Sequence, residues 1–156
     1  MLAACLPFVL HAQATPKQGT FGAEVTTSSL DFVTPSASLL WMATPNVALV
    51  GSFNANSSNR IQTLGASLGI RRFVPRPGKL RPIIGAGAVI TNRDFDSGLG
   101  GGGSSTQVGV YGEAGAGWFF SPNLMLGTTG VLSVAGGDGD TSFAARLVRL
   151  HAAVFF

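Results

Sequence analysis

The chain closes on the segment Leu150-His151-Ala152-Ala153-Val154-Phe155-Phe156, with an aromatic side chain as its last residue. Apolar residues alternate here with small or polar ones, in the period of two that is typical of a half-buried β-strand. Domains more often end in polar, poorly ordered residues. We therefore expect this segment to be a strand that pairs with the first strand of a closed sheet, with Phe156 in an aromatic girdle at its rim.

The composition of the whole chain indicates a protein whose surface is largely apolar. Mean hydropathy is +0.37, and only 11% of the 156 residues are charged, against about 25% in soluble domains. No segment contains the roughly 18 consecutive apolar residues of a membrane-spanning helix, so a closed β-barrel is the remaining way to cross a bilayer. The formal charge of +3 is small and scattered, which argues against a nucleic-acid partner.

The chain divides into a leader and one domain. Residues 1–14 are apolar and end in Ala12-Gln13-Ala14, a small-x-small cleavage site, so they are predicted to be a signal peptide. This leader lacks a positively charged start, and we expect it to be truncated at its N-terminus. The alternative is a lipoprotein signal, because Leu2-Ala3-Ala4-Cys5 resembles a lipobox. With cleavage after Ala14, the mature domain 15–156 has no cysteine and no disulfide.

Eight alternating segments are predicted within residues 15–156, and two classes of linker alternate between them. We expect strands near residues 19–29, 36–43, 47–55, 61–73, 80–92, 106–120, 123–134 and 142–156. Three linkers are short and proline-centred, as tight turns require: Thr44-Pro45-Asn46, Pro75-Arg76-Pro77-Gly78 and Ser121-Pro122-Asn123. The other four, at 31–35, 54–60, 93–105 and 135–141, are polar and mostly longer. We interpret the two Pro-Asn turns as one hairpin chemistry used twice.

Three features together carry a resemblance to a known family: these turns, the final Phe156 and the strand opening Leu80-Arg81-Pro82-Ile83-Ile84-Gly85-Ala86-Gly87. With them the sequence resembles the small eight-stranded outer-membrane β-barrel family of OmpA/OmpX type. The resemblance covers the whole of 15–156. It implies an all-β, eight-stranded antiparallel up-and-down transmembrane β-barrel in the outer membrane of a Gram-negative bacterium. It also implies a charged network in the lumen, and recognition of Phe156 as an assembly signal by the barrel-assembly machinery.

Parity along the strands assigns side chains to the lumen or to lipid. An arginine at mid-membrane costs about 2–4 kcal/mol on the lipid face of a barrel, so we expect the face that carries Arg149, His151 and Leu147 to point inward. The same reasoning assigns a lumenal polar network of Glu24, Arg71, Tyr111, Glu113, Arg149 and His151. The residues expected to face lipid include Leu39, Trp41, Leu64, Leu68, Leu124, Leu126 and Leu132. The out-of-phase Leu40, Val50 and Ile83 predict some apolar filling of the lumen.

Aromatic residues gather beside the tight turns and the carboxyl terminus. We expect one interfacial belt there, made of Trp41, Phe73, Trp118, Phe119, Phe120, Phe155 and Phe156, and a thinner opposite belt of Phe53, Phe95 and Phe143. Glycines in Gly85-Ala86-Gly87 and Gly115-Ala116-Gly117 are expected to let side chains from facing strands fill a narrow barrel.

No catalytic, cofactor or metal site is expected. The glycine-rich 98–105 segment lacks the Lys-Ser/Thr of a phosphate-binding loop and is predicted to be a surface loop. Asp94-Phe95-Asp96 and Asp138-Gly139-Asp140 are each too short for a calcium loop, so solvated charge is the expected account. The only histidine of 15–156 is His151, whose lumenal parity keeps it from acting on lipid.

The predicted function is that of a non-enzymatic scaffold with a plugged polar lumen, serving membrane structure or surface interaction. Its expected partners are outer-membrane lipid, the assembly machinery and an unspecified surface ligand at the loops, and we expect a monomer. Three alternatives stay open: a small pore or gated channel, a lipid A-modifying enzyme, and a soluble lipocalin-like binder with the opposite parity. In the channel alternative, the lumenal charges exchange partners and open a water path.

Overall fold

The computed structural model describes residues 15–28, 35–58, 61–95, 103–137 and 140–156. They form eight strands: β1 (Phe21–Ser28), β2 (Ser36–Thr44), β3 (Val47–Ser58), β4 (Ile61–Phe73), β5 (Leu80–Phe95), β6 (Gly103–Ser121), β7 (Leu124–Gly137) and β8 (Asp140–Phe155). Each strand pairs with the next, β8 pairs with β1, and all pairs are antiparallel. The predicted eight-stranded antiparallel barrel is confirmed.

Three groups of predictions fall outside the described residues: the signal peptide 1–14, the side chains of Asp31, Asp96 and Asp138, and most of the 98–105 loop. The side chains of Phe95, Asp140 and Leu147 are likewise not described. Among the residues that are described, no helix is long and apolar enough to cross a membrane.

The last strand closes the sheet against the first, as its sequence predicts. Gly22 lies opposite Phe155, and the pairing continues to Ser28 opposite Arg149. At the rim, the backbone N–H of Phe156 donates to the carbonyl of Phe21 at 2.9 Å. The seam therefore leaves no open edge, which would otherwise be a template for aggregation.

The two Pro-Asn turns, at 44–46 and 121–123, share one geometry. In each, the hydroxyl of the first residue accepts a hydrogen bond from the asparagine N–H, at 3.3 Å and 3.2 Å. The asparagine carbonyl then accepts the N–H of a phenylalanine on a neighbouring strand, Phe73 in one case and Phe155 in the other, both at 2.8 Å. Both turns also carry a register shift. We call the end of the barrel that contains these turns the turn end, and the opposite end the loop end.

At the loop end the strands run further than predicted. Phe95 still pairs with Gly103, so residues 103–105 belong to β6 and not to a surface loop. The polar and glycine-rich sequence there indicates that these side chains contact solvent. It does not end the strands, because the backbone N–H and C=O groups of both chain segments still need partners and the ladder supplies them.

A bulge in β8 breaks the period-two count. Thr129 pairs with Arg149, but Val131 pairs with Arg146, so β8 contains one residue more than β7 over this stretch. An extra residue moves the following side chains to the other face. Beyond the bulge Ser142 lines the lumen and Phe143 is 70% exposed, which reverses the parity counted from Phe156.

The outer face of the barrel is apolar. All seven residues predicted to face lipid are exposed, from 41% for Leu124 to 69% for Leu39. The predicted aromatic belt is only half right, however. Trp41, Trp118, Phe120 and Phe156 are exposed on the outside at the turn end, whereas Phe73, Phe119 and Phe155 are at most 1% exposed and lie inside. Strand alternation is the reason, since consecutive aromatics in one strand must point to opposite faces.

Candidate functional site

An apolar cluster fills the turn end of the lumen. This apolar plug consists of Leu40, Met42, Ala48, Val50, Phe73, Ile83, Phe119, Met125, Ala153 and Phe155. The Phe119 ring packs edge-on against Phe73, with ring centroids 5.4 Å apart, and lies 6.2 Å from the ring of Phe155. The predicted apolar filling by Leu40, Val50 and Ile83 is confirmed.

Four polar side chains lie next to the apolar plug on its loop-end side, and we call Glu24, Arg71, Glu113 and His151 the charge cluster. Arg71 is its centre and is 2% exposed. Its Nη1 donates to Glu24 Oε2 at 2.6 Å, while Nε and Nη2 donate to the two carboxylate oxygens of Glu113 at 2.7 Å and 3.2 Å. The planar guanidinium fork suits a two-point contact of this kind. One cation thus holds two buried carboxylates from β1 and β6.

His151 completes the charge cluster on the β8 side. Its Nδ1 lies 3.1 Å from Glu24 Oε1, and its Nε2 lies 2.6 Å from Thr129 Oγ1. Thr26 donates from its hydroxyl to the same Glu24 oxygen at 3.3 Å. Both ring nitrogens are therefore engaged inside the barrel, and the imidazole is 3% exposed.

Glycines make the room that these side chains need. A Cβ on Gly85 would lie 2.6 Å from Glu113 Oε1 and 2.9 Å from the carbonyl of Ile70, and a Cβ on Gly87 would lie 2.7 Å from the ring of Tyr111. Any larger residue at either position must displace the lumenal side chain or the backbone. The predicted role of the Gly85-Ala86-Gly87 glycines is confirmed.

Of the six residues predicted to form a lumenal network, four meet in the charge cluster and two lie on the lumen wall toward the loop end. Tyr111 is half-buried and hydrogen-bonded to Ser67, and Arg149 lines the same part of the lumen. Two residues that the sequence reasoning missed, Thr26 and Thr129, contact the charge cluster and are each 1% exposed. Both could have been found from the sequence, because they have the same inward parity along their strands that identified Glu24 and His151.

A cavity of about 190 Å³ lies between the charge cluster and the loop end. Arg71, Glu113, Tyr111 and Arg149 line it, and the exposed Arg93 stands at its rim. Its remaining polar lining consists of Thr26, Ser36, Ser52, Asn54, Ser67, Thr91, Gln107, Ser133 and Ser142. The lumen therefore has three levels: the apolar plug, the charge cluster and this polar cavity. Within the described residues, no group of three His, Cys, Asp or Glu is placed to hold a metal ion.

Comparison with solved structures shows the fold. The N-terminal β-barrel domain of Pseudomonas aeruginosa OprF superposes with a TM-score of 0.66 at 20% identity, over 89% of this chain and 98% of that one. Neisserial surface protein A gives 0.58 at 16% identity, over 87% and 92% of the two chains. Ail, the attachment invasion locus protein of Yersinia pestis, gives 0.54 at 15%, over 88% and 94%. No protein-family model and no curated protein matches the chain. The resemblance to small OmpA/OmpX-type outer-membrane barrels is thereby confirmed at the level of fold.

Proposed function

We propose that the protein is a monomeric, integral outer-membrane barrel of a Gram-negative bacterium, a non-enzymatic scaffold whose lumen is plugged. The observation that carries the proposal is the filling of the lumen. The apolar plug and the charge cluster lie in succession along it, and their charged members are 7% exposed or less. Eight strands leave an interior just wide enough for side chains, so this filling leaves little room for a continuous water path.

The outer surface supports the membrane location. β5, β6, β7 and β8 contain 16, 19, 14 and 16 residues, more than the roughly 9–11 that a tilted strand needs to cross a bilayer. Large apolar side chains cover the outside, including Leu68 at 68% exposure. A soluble lipocalin-like binder requires the opposite arrangement, with the leucine-rich face inward.

The position of His151 argues against a lipid-modifying enzyme. A Ser-His-acid arrangement needs a histidine that can take a proton from a serine at the reacting bond. His151 is buried, and both its ring nitrogens contact lumenal groups. It is therefore remote from any lipid substrate on the outer face.

Surface interaction is the role that we favour for the loop end. Two of the similar structures carry such a role in their names, a surface protein and an attachment invasion locus protein. This chain has the same barrel, with four connections at its loop end. On a rigid scaffold of this kind, binding specificity resides in the loops.

The proposal is tested by conductance in planar lipid bilayers. We expect the purified wild-type protein to show little steady current. Glu113→Ala removes two of the three hydrogen bonds of Arg71 to the cluster carboxylates, and we expect it to leak ions or to lose stability. Large, long-lived channels in wild type would favour the pore alternative, and an unchanged Glu113→Ala variant would contradict the plugged lumen.

A further inference from the structure

Basic side chains are concentrated in the hairpin between β4 and β5, at the turn end. Arg72, Arg76, Lys79 and Arg81 lie within ten consecutive residues, and the first three are exposed. We call these four residues the basic hairpin. The net charge of the chain is only +3, because acidic residues elsewhere in the sequence offset these basic ones.

No carboxylate side chain among the described residues lies at the turn end. Glu24 and Glu113 are buried in the charge cluster, while Asp94 and Asp140 are at the loop-end limits of β5 and β8. The basic hairpin therefore presents an unbalanced positive charge where the barrel surface passes from apolar to polar. Such a surface attracts an anionic partner.

Apolar and aromatic side chains adjoin the basic hairpin on the outside of the barrel. Leu80 and Trp118 lie opposite each other on β5 and β6 and are 48% and 47% exposed. Ile70 and Ile84, near Arg72 on β4 and β5, are also exposed. Cations directly beside an exposed apolar and indole surface match a molecule with a negative head and apolar chains.

The hairpin backbone is restrained by its prolines and by a hydrogen bond at its base. Pro75 and Pro77 restrict φ, Gly78 adopts φ of +89°, and the N–H of Val74 donates to the carbonyl of Pro82 at 2.8 Å. These restraints lower the backbone entropy that the hairpin loses when a ligand binds.

From these observations we infer that the basic hairpin is a binding site for the phosphate headgroup of an anionic phospholipid, whose acyl chains lie against Trp118 and Leu80. The inference rests on the proposed membrane location. A polybasic segment next to a bilayer attracts anionic lipid through each of its cations, and salt screens the attraction. A lipid with a zwitterionic headgroup gains much less from the same cations.

Trp118 provides the probe. The protein with Trp41→Phe has one tryptophan and is reconstituted into vesicles of zwitterionic phosphatidylcholine that contain brominated phosphatidylglycerol or brominated phosphatidylcholine. We expect Trp118 to be quenched by both lipids, with a preference of about fivefold for the anionic one at low salt. The preference should fall toward equality in the combined Arg72→Gln, Arg76→Gln and Lys79→Gln variant.

Two matched controls come from the chain itself. Phe156 is exposed at the same end, directly after β8, and three strands separate β8 from β4 around the closed sheet. With Phe156→Trp as the sole tryptophan, we expect a weaker anionic preference that the hairpin variant leaves unchanged. Arg93→Gln removes one exposed cation at the loop end, and it should not affect Trp118, whereas Arg76→Gln should reduce the preference there.

The outcomes separate this inference from the proposed function. Absence of quenching by either brominated lipid contradicts the membrane location itself. Equal quenching of Trp118 by both lipids, or a preference that survives the combined variant, overturns the lipid site alone. An equal preference at residue 156 that falls by the same factor in the hairpin variant also overturns it, because general attraction to the barrel then suffices.

Discussion

Replacing Arg71 with methionine tests the charge cluster directly, because one guanidinium neutralises two buried carboxylates. The substitution removes hydrogen bonds of 2.6, 2.7 and 3.2 Å. Glu24 keeps its contacts with Thr26 and His151, but Glu113 loses both bonds to Arg71. Breaking a buried ion pair by removing one partner costs about 3–5 kcal/mol. We expect the free energy of unfolding to fall by about that amount.

The measurement is urea-induced unfolding from lipid vesicles, followed by tryptophan fluorescence. Trp41 and Trp118 are both exposed on the outside of the barrel, so their emission reports departure from the bilayer. Arg72→Met is the matched control in vesicles of zwitterionic phosphatidylcholine, which offer the basic hairpin no anionic lipid. Arg72 lies next in the same strand and is exposed, and its replacement should change stability by less than about 1 kcal/mol.

A triple variant separates the loss of charge balance from a loss of packing. Arg71→Met combined with Glu24→Gln and Glu113→Gln removes all three charges, and with them the cost of burying unpaired carboxylates. Burying a neutral amide costs far less than burying an unpaired carboxylate, so we expect most of the lost stability to return. The reasoning is refuted if Arg71→Met lies within about 1 kcal/mol of wild type, or if the triple variant is no more stable than the single one.

Three further predictions concern the plug, the topology and the last strand. Phe119→Ala removes the ring between Phe73 and Phe155, and in the same unfolding assay it should cost about 3–5 kcal/mol; a loss below about 1 kcal/mol would mean that the plug contributes little. We expect the loop end to face the cell exterior, so a cysteine at Ser104 should react with an impermeant thiol label on intact cells while one at Asn123 should not; the reverse pattern would mean that the turn end is outside. Phe156→Ala should lower the yield of protein that resists unfolding in detergent until boiled, whereas an unchanged yield would count against its role as an assembly signal.

The sequence alone predicts the strands and which side chains share a face, because alternation in a strand without a bulge depends only on position along the chain. The inward direction of Glu24, Arg71, Glu113 and His151 follows once the cost of an arginine in lipid decides which face is inside, and the outward leucines follow with it. The two Pro-Asn turns are equally local, since a hydroxyl, a proline and an amide within three residues create the bend.

Only the closed barrel decides which inward side chains meet. Glu24, Arg71 and Glu113 lie on β1, β4 and β6, which are not neighbours in the sheet, so their contact depends on strand stagger and on the width of the lumen. The bulge in β8 also depends on tertiary structure, because it forms where β8 stays paired with β7 while containing one residue more. The burial of Phe119 beside the exposed Trp118 and Phe120 follows from alternation, but its packing against Phe73 on β4 and Phe155 on β8 depends on closure of the sheet.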